Sequence, residues 1–205
     1  MDNFYRVLQK TLTKHDKSYN WAEVQSYASE KMVENIFKSI LPGCTVYRNN
    51  YYPIKSSLKN MAENDILILY CGLMFIIEIK AGSFVYTPPI TDFDAHIISY
   101  KKLIEEPEEQ CLRTLNYITA GTEATIYDSQ KNVKATISVP NKNNMFTFSI
   151  TVDNINSFAA KAEKLKFLNL KTPTICLSVD DLMVYRDYFE SPLQFIHFLN
   201  QRRAA

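Results

Sequence analysis

The sequence is poor in glycine, with only four copies among 205 residues. Loops that cradle nucleotide phosphates need closely spaced glycines, because the backbone itself must approach the phosphate. No such loop can be formed here, and the sequence therefore disfavours hydrolysis of nucleoside triphosphates.

Cysteine is equally scarce, and its four copies lie far apart at Cys44, Cys71, Cys111 and Cys176. They form no C-x-x-C pair and have no histidines at ligand spacing, so neither a zinc site nor a disulfide framework is expected. No apolar stretch is long enough to span a membrane, and the polar N-terminus does not resemble a signal peptide. We therefore expect a cytoplasmic protein with reduced thiols and no membrane partner.

The sequence also lacks an excess of charge of either sign. Its 23 Lys and Arg residues and 22 Asp and Glu residues leave a net charge of +1, which creates no overall field to attract nucleic acid. Any bound nucleic acid would have to be held by local contacts. A chain of this length with 46% hydrophobic residues can bury one core, so we predict a single domain over residues 1–205, with its centre at about 21–120.

What the chain does contain is a set of charges around two short apolar runs. Asp65 precedes the first run, Cys71-Gly72 separates the two, and Glu78 and Lys80 end the second. This pattern predicts a β-hairpin that brings Asp65 back beside Glu78. Because side chains alternate along a strand, Glu78 and Lys80 share one face.

Paired carboxylates at neighbouring strand ends suit a hard divalent cation such as Mg²⁺, whose remaining ligands are water and substrate phosphate. Mn²⁺ accepts the same ligands. In the plain alternative, Asp65 starts a strand beside a turn, while Glu78 and Lys80 form an ion pair on a solvated face.

Further acids lie on an upstream helix that apolar periodicity predicts over residues 21–41, ended by Pro42-Gly43. Glu23, Glu30 and Glu34 fall on one side of this helix. One of them could face the metal, or all three could form a solvated acidic face.

These residues resemble the PD-(D/E)XK nuclease superfamily, whose motif is an acid, a variable spacer and an acid-x-lysine. Asp65, Glu78 and Lys80 match the motif, although Asn64 stands where the motif has proline. The similarity covers residues 27–118 in order and is greatest to the nuclease-related, or NERD-like, branch.

Two further positions match that branch. Its helical glutamate corresponds to Glu30, with Glu34 one turn further as the alternative, and its glutamine-bearing helix corresponds to Gln110. Gln110 is equally compatible with an ordinary surface or capping role.

The resemblance implies a Mg²⁺-dependent deoxyribonuclease, more often an endonuclease than an exonuclease. Asp65, Glu78 and the backbone carbonyl of Ile79 would hold the metal, Glu30 would complete the site, and Lys80 would act on the attacking water. It also implies DNA as partner, homodimers, further domains or subunits, and a setting such as antiviral defence. The alternative is a catalytically silent module that binds nucleic acid or protein within a larger protein.

The fold class that we predict is α/β, with a restriction endonuclease-like core of a central mixed β-sheet flanked by helices, an added β-meander and C-terminal helices. The remaining elements are a strand at 45–52, a polar loop at 55–63, helices at 94–103, 107–119 and 156–165, meander strands at 124–127, 134–139 and 145–152, a buried strand at 172–177, and helices that begin after Ser178 and Ser191.

Overall fold

A seven-stranded mixed sheet forms the centre of the protein in the computed structural model, which describes residues 4–55, 57–82, 85, 90–154 and 166–204. The strands are β1 (Thr45–Ile54), β2 (Ser57–Tyr70), β3 (Leu73–Lys80), β4 (Glu123–Tyr127), β5 (Val133–Ser138), β6 (Met145–Thr151) and β7 (Ile175–Ser178). Their order across the sheet is β5-β4-β1-β2-β3-β6-β7.

Helices cover both faces of this sheet, which confirms the predicted α/β class. The α-helices of the described residues are α1 (Phe4–His15), α2 (Trp21–Ile40), α3 (Phe93–Tyr100), α4 (Glu106–Ile118), α5 (Val179–Tyr188) and α6 (Pro192–Ala204). One core joins α2, α5 and α6 to β2, β3, β6 and β7 around Phe37, Phe75 and Phe148. The other joins α4 to the opposite face around Ile76, Cys111 and Leu115.

The β2–β3 hairpin is confirmed. Its ladder runs antiparallel from Ile66 opposite Ile77 to Tyr70 opposite Leu73. The turn residues Cys71 and Gly72 have φ of 48° and 77°, as two-residue hairpin turns require. β3 is apolar almost throughout because it lies between β2 and β6 and is covered on both faces.

The polar loop predicted over 55–63 is wrong. β1 and β2 instead form a long hairpin in which Tyr51 pairs with Glu63 and Pro53 with Met61. The pairing partner supplies backbone hydrogen bonds to residues whose own side chains are mostly polar and exposed, so apolar content does not mark this stretch as a strand. Asp65 consequently lies inside β2 and does not begin it.

The predicted β-meander is also wrong in one respect. β4 and β5 form a hairpin beside β1, but β6 runs parallel to β3 and β7 on the other side of the sheet. Every residue of Met145–Thr151 is buried, as expected for a central strand covered on both faces.

The helices predicted at 94–103 and 107–119 are joined by a π-helical turn, Lys101–Glu105. The backbone N–H of Glu106 donates to the carbonyl of Lys101, five residues earlier. This wider turn precedes Pro107, which lacks an N–H and would crowd the preceding turn of a regular α-helix.

The C-terminal helices begin as predicted, and α5 opens with a capping box between Ser178 and Asp181. The predicted helix at 156–165 lies outside the described residues. Within the described ranges, no helix combines the length and the apolar character needed to cross a membrane.

Candidate active site

Asp65 and Glu78 lie next to each other where β2 and β3 separate. Continuing the ladder by one position beyond Ile66 and Ile77 places Asp65 opposite Glu78. At this point a side chain takes the place of a backbone hydrogen bond between the strands. Oδ2 of Asp65 accepts a hydrogen bond from the N–H of Ile79 at 2.7 Å. The structure therefore brings together the two acids that the hairpin pattern predicts to be neighbours.

Burial dominates the electrostatics of this pair. It raises the pKa of Asp65 to about 6, with the charge of Glu30 adding to the rise and the N–H of Ile79 and the charge of Lys80 opposing it. Glu78 is only 1% exposed. Burial, and then the charge of Asp65, hold the pKa of Glu78 well above its ordinary range. Both carboxyl groups therefore resist ionisation, and a bound cation would favour their charged forms.

Lys80 follows on the same strand face and contacts Gln110. Its Nζ donates to Oε1 of Gln110 at 2.5 Å, which places a side chain from α4 directly beside the acid-x-lysine strand. The charge of Lys80 also lowers the pKa of Asp65 and Glu78. Since Glu78 is buried, a solvated ion pair with Lys80 does not describe this site.

Glu34, the alternative to Glu30, belongs to a different cluster. It accepts from Lys38 at 2.6 Å and Lys31 at 3.0 Å, and it pairs with Arg48 at 3.1 Å. Glu34 is buried, and these three cations satisfy its carboxylate. The structure therefore does not favour Glu34 as the metal-facing acid.

Glu30 is 5% exposed and lies on α2, one turn before Glu34. Burial raises its pKa, while Ser26, whose Oγ donates to Oε1 at 2.9 Å, and Asn49 oppose the rise. Its charge reaches Asp65. However, no three Asp, Glu, His or Cys side chains in the described part of the chain are grouped as a metal site, so the metal role of Glu30 stays a prediction.

Asn64 is a site residue that the sequence interpretation missed. Its Nδ2 donates to Oε1 of Glu78 at 2.9 Å and to the carbonyl of Ile77 at 3.1 Å, and its Oδ1 accepts from Asn50 at 3.3 Å. Both asparagines are 1% exposed. The sequence feature that could have identified it is the amide of Asn64 itself, which stands in place of the motif's proline directly before Asp65.

A second missed feature is the negative charge around Asp65. Tyr51 donates from its hydroxyl to Oε1 of Glu63 at 2.8 Å, and burial, this bond and the neighbouring acids raise the pKa of Tyr51 to about 12. The charge of Glu63 also raises the pKa of Asp65 and of Glu30. This pair was not recognisable because Glu63 lies in the stretch predicted as a loop, so no strand pairing placed it beside Tyr51.

The donor set fits Mg²⁺ or Mn²⁺. Asp65 and Glu78 offer adjacent carboxylates, the hard oxygen ligands that these ions prefer. The charge of Lys80 lowers the pKa of both acids, and a bound cation would act in the same direction. Ile79 contributes its N–H to Asp65, while the predicted role of its carbonyl as a ligand stays a prediction.

The fold and the site together define an α/β protein in which two adjacent carboxylates, a lysine and a glutamine meet where strands β2 and β3 separate. No family model matches the chain, and no curated protein matches it. Among solved structures, protein VC1899 from Vibrio cholerae is similar with a TM-score of 0.36 and 11% identity, over 84% of this chain and 32% of that one. This chain therefore spans about a third of the length of that protein, and a likeness this distant does not bear on function.

Proposed function

We propose that the protein is a Mg²⁺-dependent nuclease that hydrolyses phosphodiester bonds in DNA and cuts internally, with Mn²⁺ as a substitute ion. The observation that supports this most is the pair of half-buried Asp65 and buried Glu78 on adjacent strands, with Lys80 following on the face of Glu78. Metal-assisted phosphoryl transfer needs positive charge at the scissile phosphate. Carboxylates provide that charge by holding a metal cation there.

Asp65 and Glu78 would hold the ion, which would supply Lewis acidity toward the scissile phosphate when bound. Lys80 provides an ammonium fixed at the same strand end. It orients the attacking water and stabilises the negative charge that grows on the phosphate oxygens. Gln110 holds Nζ of Lys80 from α4, and Asn64 holds one oxygen of Glu78.

Cleavage of supercoiled plasmid with Mg²⁺ or Mn²⁺ tests this proposal. We expect Lys80→Ala to lower the rate by about 100-fold or more, because one preorganised charge contact is worth about 3 kcal/mol. Lys142→Ala is the matched control, since it is exposed and precedes β6 at the opposite end of the sheet from Lys80. A chelator should abolish cutting by every form.

Equal rates for the wild type and Lys80→Ala would contradict the assigned site. No cleavage of plasmid, linear duplex, single-stranded DNA or RNA by any form would contradict the nuclease proposal and favour a catalytically silent binding module. Cutting of circular substrates distinguishes internal cleavage from trimming of ends.

The wider setting that we propose rests on the resemblance alone. It comprises a cytoplasmic location, homodimers, association with further domains or a partner subunit, and defence against foreign DNA. Light scattering of the purified protein, with and without DNA, tests the dimer directly.

A further inference from the structure

A pocket of about 490 Å³ opens between the first half of α2 and Asn49 of β1, a residue whose φ is 50°. Glu23, Val24, Ser26, Tyr27, Glu30 and Asn49 line it. Its volume lies within the range of small-ligand sites, about 300–1,000 Å³. The β1–β2 register places the pocket beside Asp65, because Arg48 and Asn50, which flank the lining residue Asn49, pair with Ile66 and Asn64, which flank Asp65. The charge of Glu30 also acts on Asp65.

Tyr27 is the aromatic side of this pocket and is 61% exposed. The guanidinium of Arg48 lies over its ring at 5.2 Å from the centroid, within the range of a cation–π contact. Arg48 is in turn held through Nε by Glu34 at 3.1 Å. The ring is thus supported from one side by a fixed cation, while much of its surface stays open to solvent.

The polar lining indicates what kind of ligand fits. Glu23 and Glu30 make the pocket acidic, which disfavours a phosphate. The carboxylates, the hydroxyl of Ser26 and the amide of Asn49 can instead hydrogen-bond the edge of an uncharged, planar, amino-bearing ring. The exposed ring of Tyr27 provides a surface on which the flat face of such a ligand can stack.

We propose that this pocket binds a nucleobase of an unpaired DNA strand, stacked on Tyr27, next to the site at which that strand is cut. The inference rests on the proposed function for the identity of the ligand and adds a substrate class to it. Inside a duplex both faces of a base are covered by its neighbours, so only an unpaired or extruded base can stack on a side chain.

Stacking also explains how a protein with almost no net charge could hold a nucleic-acid strand. A chain with a net charge of +1 gains little from long-range attraction to phosphates. A contact that does not depend on charge can hold the strand near two carboxylates that would otherwise repel it. Binding through Tyr27 should accordingly respond less to salt than binding through phosphate contacts does.

The experiment is equilibrium binding of a short, fluorescein-labelled single-stranded oligodeoxynucleotide, followed by anisotropy in EDTA so that no metal-dependent cutting can interfere. It is repeated with Mg²⁺ in the Lys80→Ala background. We expect Tyr27→Ala to weaken binding by about 10-fold or more, the effect typical of one lost base–aromatic stack. Tyr27→Phe keeps the ring and should bind within a few-fold of the wild type.

Tyr188→Ala is the matched control, because Tyr188 is also an exposed tyrosine, at 76%, but lies on α5 away from this pocket. Circular dichroism checks that each variant is folded. A duplex of the same sequence should bind more weakly than the single strand and should lose little affinity in Tyr27→Ala.

The two proposals fail in different ways. If Lys80→Ala loses cleavage but Tyr27→Ala binds and cuts single strands like the wild type, the base site is wrong and the nuclease stands. If the wild type cuts nothing but binds single strands through Tyr27, the base site stands and the nuclease is wrong. Absence of single-strand binding by every form, or equal losses in Tyr27→Ala and Tyr188→Ala, overturns the base site.

Discussion

Asn64 donates a hydrogen bond from Nδ2 to Oε1 of Glu78 at 2.9 Å, so a buried amide fixes the position of a buried carboxylate. The same Nδ2 also donates to the carbonyl of Ile77, and Asn50 donates to the Oδ1 on the other side of the amide. The side chain of Asn64 is therefore held at both ends. One oxygen of Glu78 is engaged by the protein, and the amide that holds it lowers the pKa of Glu78.

Replacing Asn64 by Ala should impair the site through Glu78. Loss of the donor raises the pKa of Glu78 further, so the acid limb of the pH–rate profile should move to higher pH and the Mg²⁺ requirement should rise. The lost hydrogen bonds should also cost about 1–3 kcal/mol of stability. Cleavage rates measured across pH and Mg²⁺ concentration test this, and a variant that is merely less stable, with an unmoved acid limb, would show that Asn64 is only structural.

Asp65→Asn should stabilise the metal-free protein at neutral pH. The folded state raises the pKa of Asp65 from 3.8 to about 6, so between these values the folded protein binds more protons than the unfolded chain, and stability falls as pH rises. Above about pH 6 the carboxylate therefore costs up to about 3 kcal/mol. Asparagine removes this cost and still offers an oxygen to the N–H of Ile79.

Urea unfolding in EDTA at about pH 7.5 and pH 4.5 measures this effect, which should shrink at the lower pH. Mg²⁺ should stabilise the wild type but not Asp65→Asn, because only the wild type offers both carboxylates. Asp180→Asn, on an exposed position of α5, is the control and should leave the Mg²⁺ response intact. A less stable Asp65→Asn in EDTA at neutral pH would refute the electrostatic account.

Gln110→Ala should slow cleavage without abolishing it. The variant releases Nζ of Lys80 from its 2.5 Å contact, so the ammonium keeps its charge but loses its fixed position. We expect a fall of about 10-fold in kcat with little change in KM, a small part of what misplacing a catalytic group can cost. Steady-state cleavage of an oligonucleotide separates the two constants. An unchanged kcat would show that Gln110 has only the ordinary surface or capping role that the sequence also allowed.

Ser178→Ala should destabilise the fold without touching the chemistry. Ser178 and Asp181 bond reciprocally at the start of α5, and loss of such a cap typically costs about 1 kcal/mol, at most about 2. Thermal unfolding should show this loss, whereas the cleavage rate at a temperature well below unfolding should match the wild type. A lowered rate there would mean that α5 influences the site.

Local patterns predicted the parts of the fold that are encoded locally. Cys71-Gly72 between apolar runs marked the hairpin, periodicity and Pro42-Gly43 placed α2, and the spacing of Ser178 and Asp181 marked the start of α5. In each case the signal and the structure lie within a few residues of each other, so one sequence is enough to recognise them.

Long-range pairing accounts for what was missed. The first half of β2 is a strand because β1 pairs with it, and β6 is central because β3 and β7 flank it in parallel; neither fact is visible in residue types alone. For the site, the hairpin register predicted Asp65 beside Glu78. It could not reveal Asn64 as the residue that positions Glu78, since that depends on how far β2 and β3 diverge.

The π-helical turn Lys101–Glu105 governs the direction in which Gln110 points. Such a turn contains one residue more than the α-turn that it replaces, and each α-helical residue advances by about 100°. Deleting one residue of this turn, such as Lys102, would rotate α4 about its axis by about that angle relative to α3, and it would leave Pro107 against a regular helical turn, which its ring crowds. Gln110 would then turn away from Lys80 unless α3 moved instead, so one additional residue sets the orientation of a helix that packs on β3 and β6.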